Sequence, residues 1–157
     1  MFINIKFVIN NIEREKEIVN ITGKNMKFLK KNRIRFTWPE ETVEEEYNIE
    51  RYRKYKKLVE KEWKQKEQGF TKRLLVFFNK PMKTQFIVEI SNYGPLGFYN
   101  PDTNTVTINI NAHLDPVRII KHEMVHIMLE LFTKRYHIKH KQKENIVNTI
   151  LEILESI

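Results

Sequence analysis

Residues 119–128 read Ile119-Ile120-Lys121-His122-Glu123-Met124-Val125-His126-Ile127-Met128. In an α-helix, residues four apart lie on one face, with Cβ atoms roughly 5–6 Å apart. His122 and His126 can therefore direct two imidazole nitrogens at one metal ion, and Glu123 borders the same pocket. This is the H-E-x-x-H pattern, in which two histidines bind zinc and the carboxylate takes a proton from a metal-bound water.

The surroundings of the motif favour a metal site over a surface helix with two incidental histidines. Six of the ten residues are apolar, and Lys121 is the only charged residue besides the motif's own glutamate. A helix that binds zinc on one side and is buried on the other needs this pattern. A catalytic site of this kind also needs a third protein ligand and an open fourth position.

Composition limits the class of protein. The chain has 157 residues and no cysteine, which indicates one domain and excludes disulfides and thiolate metal sites. Any metal ion must therefore be bound by His, Glu or Asp. No run approaches the roughly 18 apolar residues of a membrane span, and the first six residues lack the basic region of a signal peptide. We therefore expect a cytoplasmic protein with no membrane association.

The net charge of +8 is unevenly distributed. Residues 1–80 contain 20 Lys and Arg against 12 Asp and Glu, whereas residues 81–157 contain 8 of each. The half with the motif is neutral, and the excess in the other half is interleaved with glutamates. A bias toward Lys, Asn, Ile and Phe, which A/T-rich codons encode, raises the lysine content without any partner. Nucleic-acid binding is not the favoured interpretation.

The chain divides into an N-terminal segment, residues 1–36, and a motif-bearing domain, residues 37–157. The segment shows a loosely alternating strand at Ile3–Asn10 and a short helix at Ile12–Ile21. It is an accessory segment of uncertain structure, which could be a subdomain, a flap over the cleft or a loose arm. It could also block the site, although no residue indicates this.

A long helix is predicted at the start of the second part. Residues 37–40 resemble a helix start with proline in the first turn. Apolar residues spaced three and four apart then describe one amphipathic helix of about six turns from Val43 to about Gln68. We interpret its aromatic stripe as core packing and not as a stacking platform.

Short apolar runs follow and predict strands at Arg73–Asn79 and Gln85–Ser91. Gly97–Asn100 and Thr105–Asn111, on either side of a Pro-Asp-Thr-Asn turn, predict a hairpin. Alternation in the last strand predicts one core face and one solvent face. The predicted core face carries Val106, Ile108 and Ile110, and the predicted solvent face carries Thr107 and Asn109.

Two helices end the chain. Asp115 and Pro116 open the motif helix as cap and first residue, and this helix should run to about Arg135. A polar, basic stretch at 136–143 turns the chain. A last amphipathic helix carries Ile146, Val147, Ile150, Leu151 and Leu154.

Four residues after the motif are candidates for the third ligand. Glu130 lies about 6 Å farther along a straight helix than His126, which suits a solvated carboxylate or one that supports the ligands. His137 would require a sharp turn that usually takes glycine. His140 falls at the next bend. Glu144 lies 18 residues after His126, where a returning helix can present its first turn to the metal.

With its motif helix, short connection and Glu-bearing helix, the chain resembles the gluzincin branch of the zincin metallopeptidases. The preceding order of helix, strands and hairpin resembles the compact minigluzincins, and the likeness covers about residues 43–157. It implies that His122, His126 and Glu144 bind one Zn²⁺ ion per chain and that Glu123 is the general base.

Two positions depart from the family pattern. The family often has an aspartate four residues after the ligand glutamate, which hydrogen-bonds a ligand histidine, and an asparagine just before that glutamate. Asn148 and Lys143 occupy these positions here. Asn148 is a candidate for the same supporting role, through an uncharged carbonyl that leaves the histidine less basic.

The fold expected from this likeness is α+β and zincin-like. It has a long backing helix, a small twisted, mostly antiparallel sheet with an edge hairpin, the H-E-x-x-H helix and a C-terminal Glu-bearing helix. The expected function is zinc-dependent hydrolysis of peptide bonds in a peptide or protein substrate. The edge strand near Thr105–Asn111 could bind that substrate as an added strand. Candidates for stabilising the transition state are Tyr136, His137 and His140.

Two alternatives remain open. The same residues could hydrolyse a substrate other than a peptide. The zinc could instead be structural, with the basic N-terminal half binding a partner, although a closed four-coordinate site has no use for a carboxylate beside the water position.

Overall fold

A four-stranded sheet lies between two groups of helices. The structure, a computed structural model, describes residues 5–157. Its strands are β1 (Ile5–Ile9), β2 (Phe36–Thr37), β3 (Phe86–Ser91), β4 (Gly94–Pro95), β5 (Gly97–Asn100) and β6 (Thr105–Asn109). Its helices are α1 (Ile12–Lys24), α2 (Met26–Lys31), α3 (Val43–Glu46), α4 (Ile49–Lys66), α5 (Phe70–Phe77), α6 (Pro116–Arg135) and α7 (His140–Ser156). The fold is α+β, as predicted.

The main sheet is mixed, so the prediction of a mostly antiparallel sheet is wrong. Its strand order is β1-β3-β6-β5, and β2 and β4 form a separate antiparallel pair. β3 pairs in parallel with both β1 and β6, and only β5 is antiparallel to its neighbour. Alternation along one strand does not encode the direction of its partner, which is why the sequence did not show this. The hairpin of β5 and β6 is confirmed.

The N-terminal segment contributes to this sheet. β1 pairs with β3 from Ile5 opposite Phe86 to Ile9 opposite Ile90, which agrees with the strand predicted at Ile3–Asn10 as far as it lies within the described residues. α1 agrees with the predicted first helix and continues through Gly23. The division of the chain into an accessory segment, residues 1–36, and a domain, residues 37–157, stays a prediction.

Both faces of β6 are buried, so the expected solvent face is wrong. Thr107 and Asn109 are only 2% and 0% exposed. Thr107 donates to Glu89, and the Asn109 amide donates to the Gly94 carbonyl at 2.9 Å. On this side α1 and α3 contribute Ile18 and Val43 to a small apolar cluster. The opposite face carries the main core, which α4, α5, α6 and α7 complete.

The predicted long helix is two helices. Phe36–Thr37 is strand β2, and α3 begins after Thr42, whose side chain forms a capping box with Glu45. The chain is extended at Asn48, whose side chain accepts from the backbone of the next turn and starts α4. Polar side chains that cap a new helix compete with continuation of the old one. The aromatic stripe of α4 is buried in the core, as interpreted.

The strand predicted at Arg73–Asn79 is wrong, because α5 covers most of it. Its buried residues are Phe70, Thr71, Leu74 and Leu75, a spacing of three and four that suits one face of a helix. Val76, by contrast, is 65% exposed. A short continuous apolar run fits a buried strand and a helix equally well, and packing decides between them here.

Three further predicted elements agree with the structure. β3 lies within Gln85–Ser91, α6 begins at Pro116 and ends at Arg135 as expected, and α7 carries the expected apolar face. Among residues 5–157, no helix combines the length and apolar character that crossing a membrane requires.

A buried carboxylate joins α1 to the sheet and α4. Glu15 is 0% exposed and accepts from the Tyr52 hydroxyl at 2.9 Å, the Ser91 hydroxyl at 2.8 Å and the Asn92 backbone N–H at 3.1 Å. Burial nevertheless raises the pKa of Glu15 above its ordinary value. The carboxylate therefore connects three elements that are distant in sequence.

We predict that Glu15→Ala lowers the free energy of unfolding by about 2–4 kcal/mol, because it leaves the Tyr52 hydroxyl and the Asn92 N–H buried without an acceptor. The measurement is urea denaturation. Glu17→Ala on the same helix is the control, because its exposed ion pair with Arg14 should contribute less than about 1 kcal/mol. Equal losses in the two variants would contradict the role given to Glu15.

Candidate metal centre

Helix α6 places the motif between the sheet and α7. The Asp115 side chain caps it by accepting from the Val117 backbone N–H at 2.9 Å. Apolar residues such as Ile120, Met124 and Val125 are fully buried along the motif. The helix is fixed on several sides, and Glu123 and His126 of the motif are among its buried residues.

A sharp turn after α6 brings α7 back along it. His137 adopts a left-handed conformation with φ of 50°. The Ile138 N–H donates to the Thr133 carbonyl at 3.0 Å, and the His137 N–H donates to the Lys134 carbonyl at 3.3 Å. These two bonds form a Schellman motif, which most often takes glycine. Histidine makes this turn without glycine and thereby sets the position of α7.

The structure brings His122, His126 and Glu144 together at the contact between α6 and α7. The two Nε2 atoms lie 3.1 Å apart. The Glu144 Oε2 atom lies 3.2 Å from His122 Nε2, and its Oε1 atom lies 3.1 Å from His126 Nε2. Glu144 is in the second turn of α7, since that helix starts at His140, earlier than the sequence indicated.

This geometry could hold a metal ion. Ligands of a tetrahedral zinc ion with bonds of about 2.0–2.1 Å lie about 3.3–3.4 Å from one another. The observed separations of 3.1–3.2 Å are close to that value. Two imidazoles and one carboxylate are also a donor set that zinc uses. The nitrogen and oxygen atoms of the three side chains lie close together, an arrangement that a cation between them would stabilise.

The charges of the three side chains are coupled. Burial opposes ionisation of Glu144, but hydrogen bonds from His122 and His126 hold the pKa of Glu144 well below its ordinary value. Burial likewise disfavours the charged form of His122, yet its bond to Glu144 raises the pKa of His122. Burial lowers the pKa of His126. The glutamate is therefore ionised and available as an anionic ligand.

Glu123 lies beside this cluster under the edge strand. It is 8% exposed, and burial raises its pKa to about 7. Gly97, the first residue of β5, passes close above it. A Cβ atom at Gly97 would lie 2.5 Å from Ile119 Cγ2 and 2.9 Å from Glu123 Oε1. Only glycine allows the edge strand to approach the carboxylate this closely.

The other candidates for the third ligand lie outside the cluster. Glu130 accepts from the Tyr99 hydroxyl at 2.8 Å and pairs with Lys134 and Lys143. His137 is used in the turn. His140 lies nearest, with Nδ1 3.8 Å from Glu144 Oε1, and its ring packs edge-on against Phe28 of α2. The N-terminal segment therefore reaches the border of the site.

Two further predicted roles are not supported by contacts in the described chain. Asn148 is exposed and makes no hydrogen bond to either histidine, and His126 Nδ1 is buried without a partner in residues 5–157. The expected support from Asn148 is therefore absent there. Tyr136 is 59% exposed and packs against Phe132.

Sequence reasoning missed two residues next to the histidines. The ring of Tyr99 stacks on the ring of His126, with centroids 5.0 Å apart and an angle of 8° between the planes. Lys143 Nζ hydrogen-bonds the Tyr99 hydroxyl. Tyr99 lies in the predicted hairpin, but no spacing rule connects it to His126, 27 residues later in the chain. For Lys143, the only sequence signal of a place beside the site was its position directly before Glu144.

Comparisons with protein-family models, with curated proteins and with solved structures found no match for the chain. The interpretation of the cluster therefore depends on its own geometry and chemistry.

We predict that Gly97→Ala destabilises the protein by about 1–3 kcal/mol, the usual effect of overpacking, because the added methyl group overlaps Ile119. The same methyl group displaces Glu123. Any hydrolytic activity should therefore fall by more than the loss of folded protein alone explains. Denaturation and activity are measured together. Gly23→Ala in α1 is the matched control, because its Cβ would meet only the end of the Trp38 ring, at 3.2 Å. Two variants with equal stability would contradict the close approach at Gly97.

Proposed function

We propose that the protein is a zinc-dependent metallopeptidase with a zincin-like, gluzincin-type site. The observation that carries this proposal is the convergence of His122, His126 and Glu144, with donor atoms 3.1–3.2 Å apart and Glu123 next in sequence to the first histidine. These three residues would hold the zinc ion. A non-catalytic zinc module would have no role for the buried carboxylate of Glu123.

The chemistry divides between the ion and the chain. When bound, zinc lowers the pKa of a coordinated water and polarises a carbonyl group. Glu123 accepts the proton of the attacking water and passes it to the leaving amine. Its raised pKa of about 7 in the metal-free protein suits a group that gains and loses a proton near neutral pH. Transfer of this kind contributes roughly 10²–10⁴-fold in rate.

The edge of the sheet favours a peptide substrate. β6 pairs on both sides, so it is not the edge strand that the sequence suggested. β5 is the last strand of the sheet, and Gly97 at its start packs against Glu123. An extended peptide that paired with β5 would bring its backbone alongside the general base. This placement favours peptide hydrolysis over hydrolysis of other substrates.

Next to the cluster, a surface depression of about 420 Å³ is available to a substrate side chain. Its lining is polar and basic, with Glu130, Lys134, His137 and Lys143. Phe28 of α2 packs against His140, whose Nδ1 atom lies 3.8 Å from Glu144 Oε1. In the proposal, residues 26–31 therefore border the cleft as a flap.

The first test is metal content. We expect one zinc per chain in the native protein and a loss of zinc affinity by orders of magnitude in His126→Ala and Glu144→Ala, because each removes a ligand. His140→Ala is the control for both variants, since His140 is a neighbour of the cluster and not a member of it. Zinc is measured by mass spectrometry after dialysis. Unchanged stoichiometry in His126→Ala would exclude this site.

The second test concerns Glu123→Gln. Glutamine keeps the size of the side chain but cannot accept a proton at neutral pH. We therefore expect normal zinc content and cleavage of a mixture of unfolded polypeptides near the detection limit. Glu152→Gln, at an exposed position of α7, is the matched control and should cleave like the native protein. Full activity in Glu123→Gln, or an inactive native protein that binds zinc, would contradict the proposal.

A further inference from the structure

We propose that Tyr99, Glu130 and Lys143 form a positioning network that fixes His126 and Glu144 for metal binding. This inference rests on the proposed function, because it assigns these residues a task at the proposed zinc site. None of the three is a ligand in the cluster. Each acts through a neighbouring residue that is a ligand in the cluster.

The first link is the stack of Tyr99 on His126. The rings are nearly parallel, at 8°, with centroids 5.0 Å apart. His126 uses Nε2 toward the cluster, and its Nδ1 atom has no partner among residues 5–157. A hydrogen bond that this ring N–H donates to an acceptor usually sets the orientation of a ligand histidine. Here the stacking contact with Tyr99 sets the orientation of the His126 ring.

The second link anchors the Tyr99 ring. Its hydroxyl donates to Glu130 Oε2 at 2.8 Å and is hydrogen-bonded by Lys143 Nζ. Glu130 is on α6, one turn beyond His126, and Lys143 is on α7. The hydroxyl therefore lies where β5, α6 and α7 meet, and both of its partners belong to the helices that carry the cluster.

The third link concerns Glu144. Lys143 Nζ lies 3.4 Å from Glu130 Oε2, so residue 143 joins α7 to α6 beside the site. Because Lys143 directly precedes Glu144, this ion pair restrains the rotation of α7 that presents the carboxylate. Lys143 is 20% exposed and Glu130 is 14% exposed, which protects the pair from full solvent screening.

Tyr99→Phe and Lys143→Met test the network. Each should weaken zinc binding by about 10-fold, at the lower end of the 10–100-fold that outer residues of metal sites contribute. Affinity is measured by competition with a chromogenic chelator. The double variant should lose less than the product of the two single losses, because both substitutions act through the same hydroxyl.

Two matched variants control for chemistry. Tyr55→Phe removes a buried tyrosine hydroxyl that has no partner in the described chain. Lys134→Met removes the other cation on Glu130, 67% exposed and on the same helix, so it does not join α6 to α7. Both should bind zinc within twofold of the native protein.

Cobalt substitution separates positioning from general stability. The visible absorption band of bound Co²⁺ reports ligand geometry, so it should change in Tyr99→Phe and Lys143→Met and stay as in the native protein in both controls. Urea denaturation of the metal-free proteins checks the fold. If Tyr99→Phe does not fold, Lys143→Met carries the same prediction at a more exposed position.

The outcomes distinguish the two proposals. Native protein that binds zinc, with Tyr99→Phe and Lys143→Met within twofold of it and an unchanged cobalt band, would overturn the network alone. Native protein that binds no zinc would overturn the proposed function and this inference with it. Weaker binding in all four variants alike would show a nonspecific effect and would also overturn the network.

Discussion

The contact of Glu144 with His122 and His126 is the interaction on which the proposed site depends. It joins two helices through three polar side chains whose nitrogen and oxygen atoms approach one another to 3.1–3.2 Å. Polar groups buried this closely need hydrogen bonds, ionisation or a metal ion to be stable. The rest of the contact between α6 and α7 is largely apolar, so hydrophobic packing brings the helices together and the cluster determines what their contact can do.

Three features outside the motif support that contact. The left-handed His137 turns the chain so that α7 returns along α6. Gly97 allows the edge strand to lie against Glu123. Tyr99 packs flat on His126 while its hydroxyl contacts both helices. Each of these features comes from a different part of the chain. Together they fix the positions of His122, Glu123, His126 and Glu144, which one helix alone could not orient.

The sequence predicted what depends on local periodicity and caps. Asp115 and Pro116 gave the start of α6, and the spacing of His122 and His126 gave two members of the cluster. Glu144 was reached by likeness to a known arrangement. The interactions that sequence missed join distant segments. Parallel pairing of β1, β3 and β6, the burial of Thr107, and the stack of Tyr99 on His126 have no local pattern. The run at 73–79 failed because its apolar residues suit either a strand or a helix.

The most direct measurement is X-ray absorption at the zinc edge of the metal-loaded protein. The account predicts a four-coordinate ion with two imidazole nitrogens at about 2.0–2.1 Å and oxygen ligands in the remaining positions. In His126→Ala, the multiple-scattering signal should fall from that of two imidazole rings to that of one. A six-coordinate ion with only oxygen ligands, or a spectrum that His126→Ala leaves unchanged, would contradict the central claim.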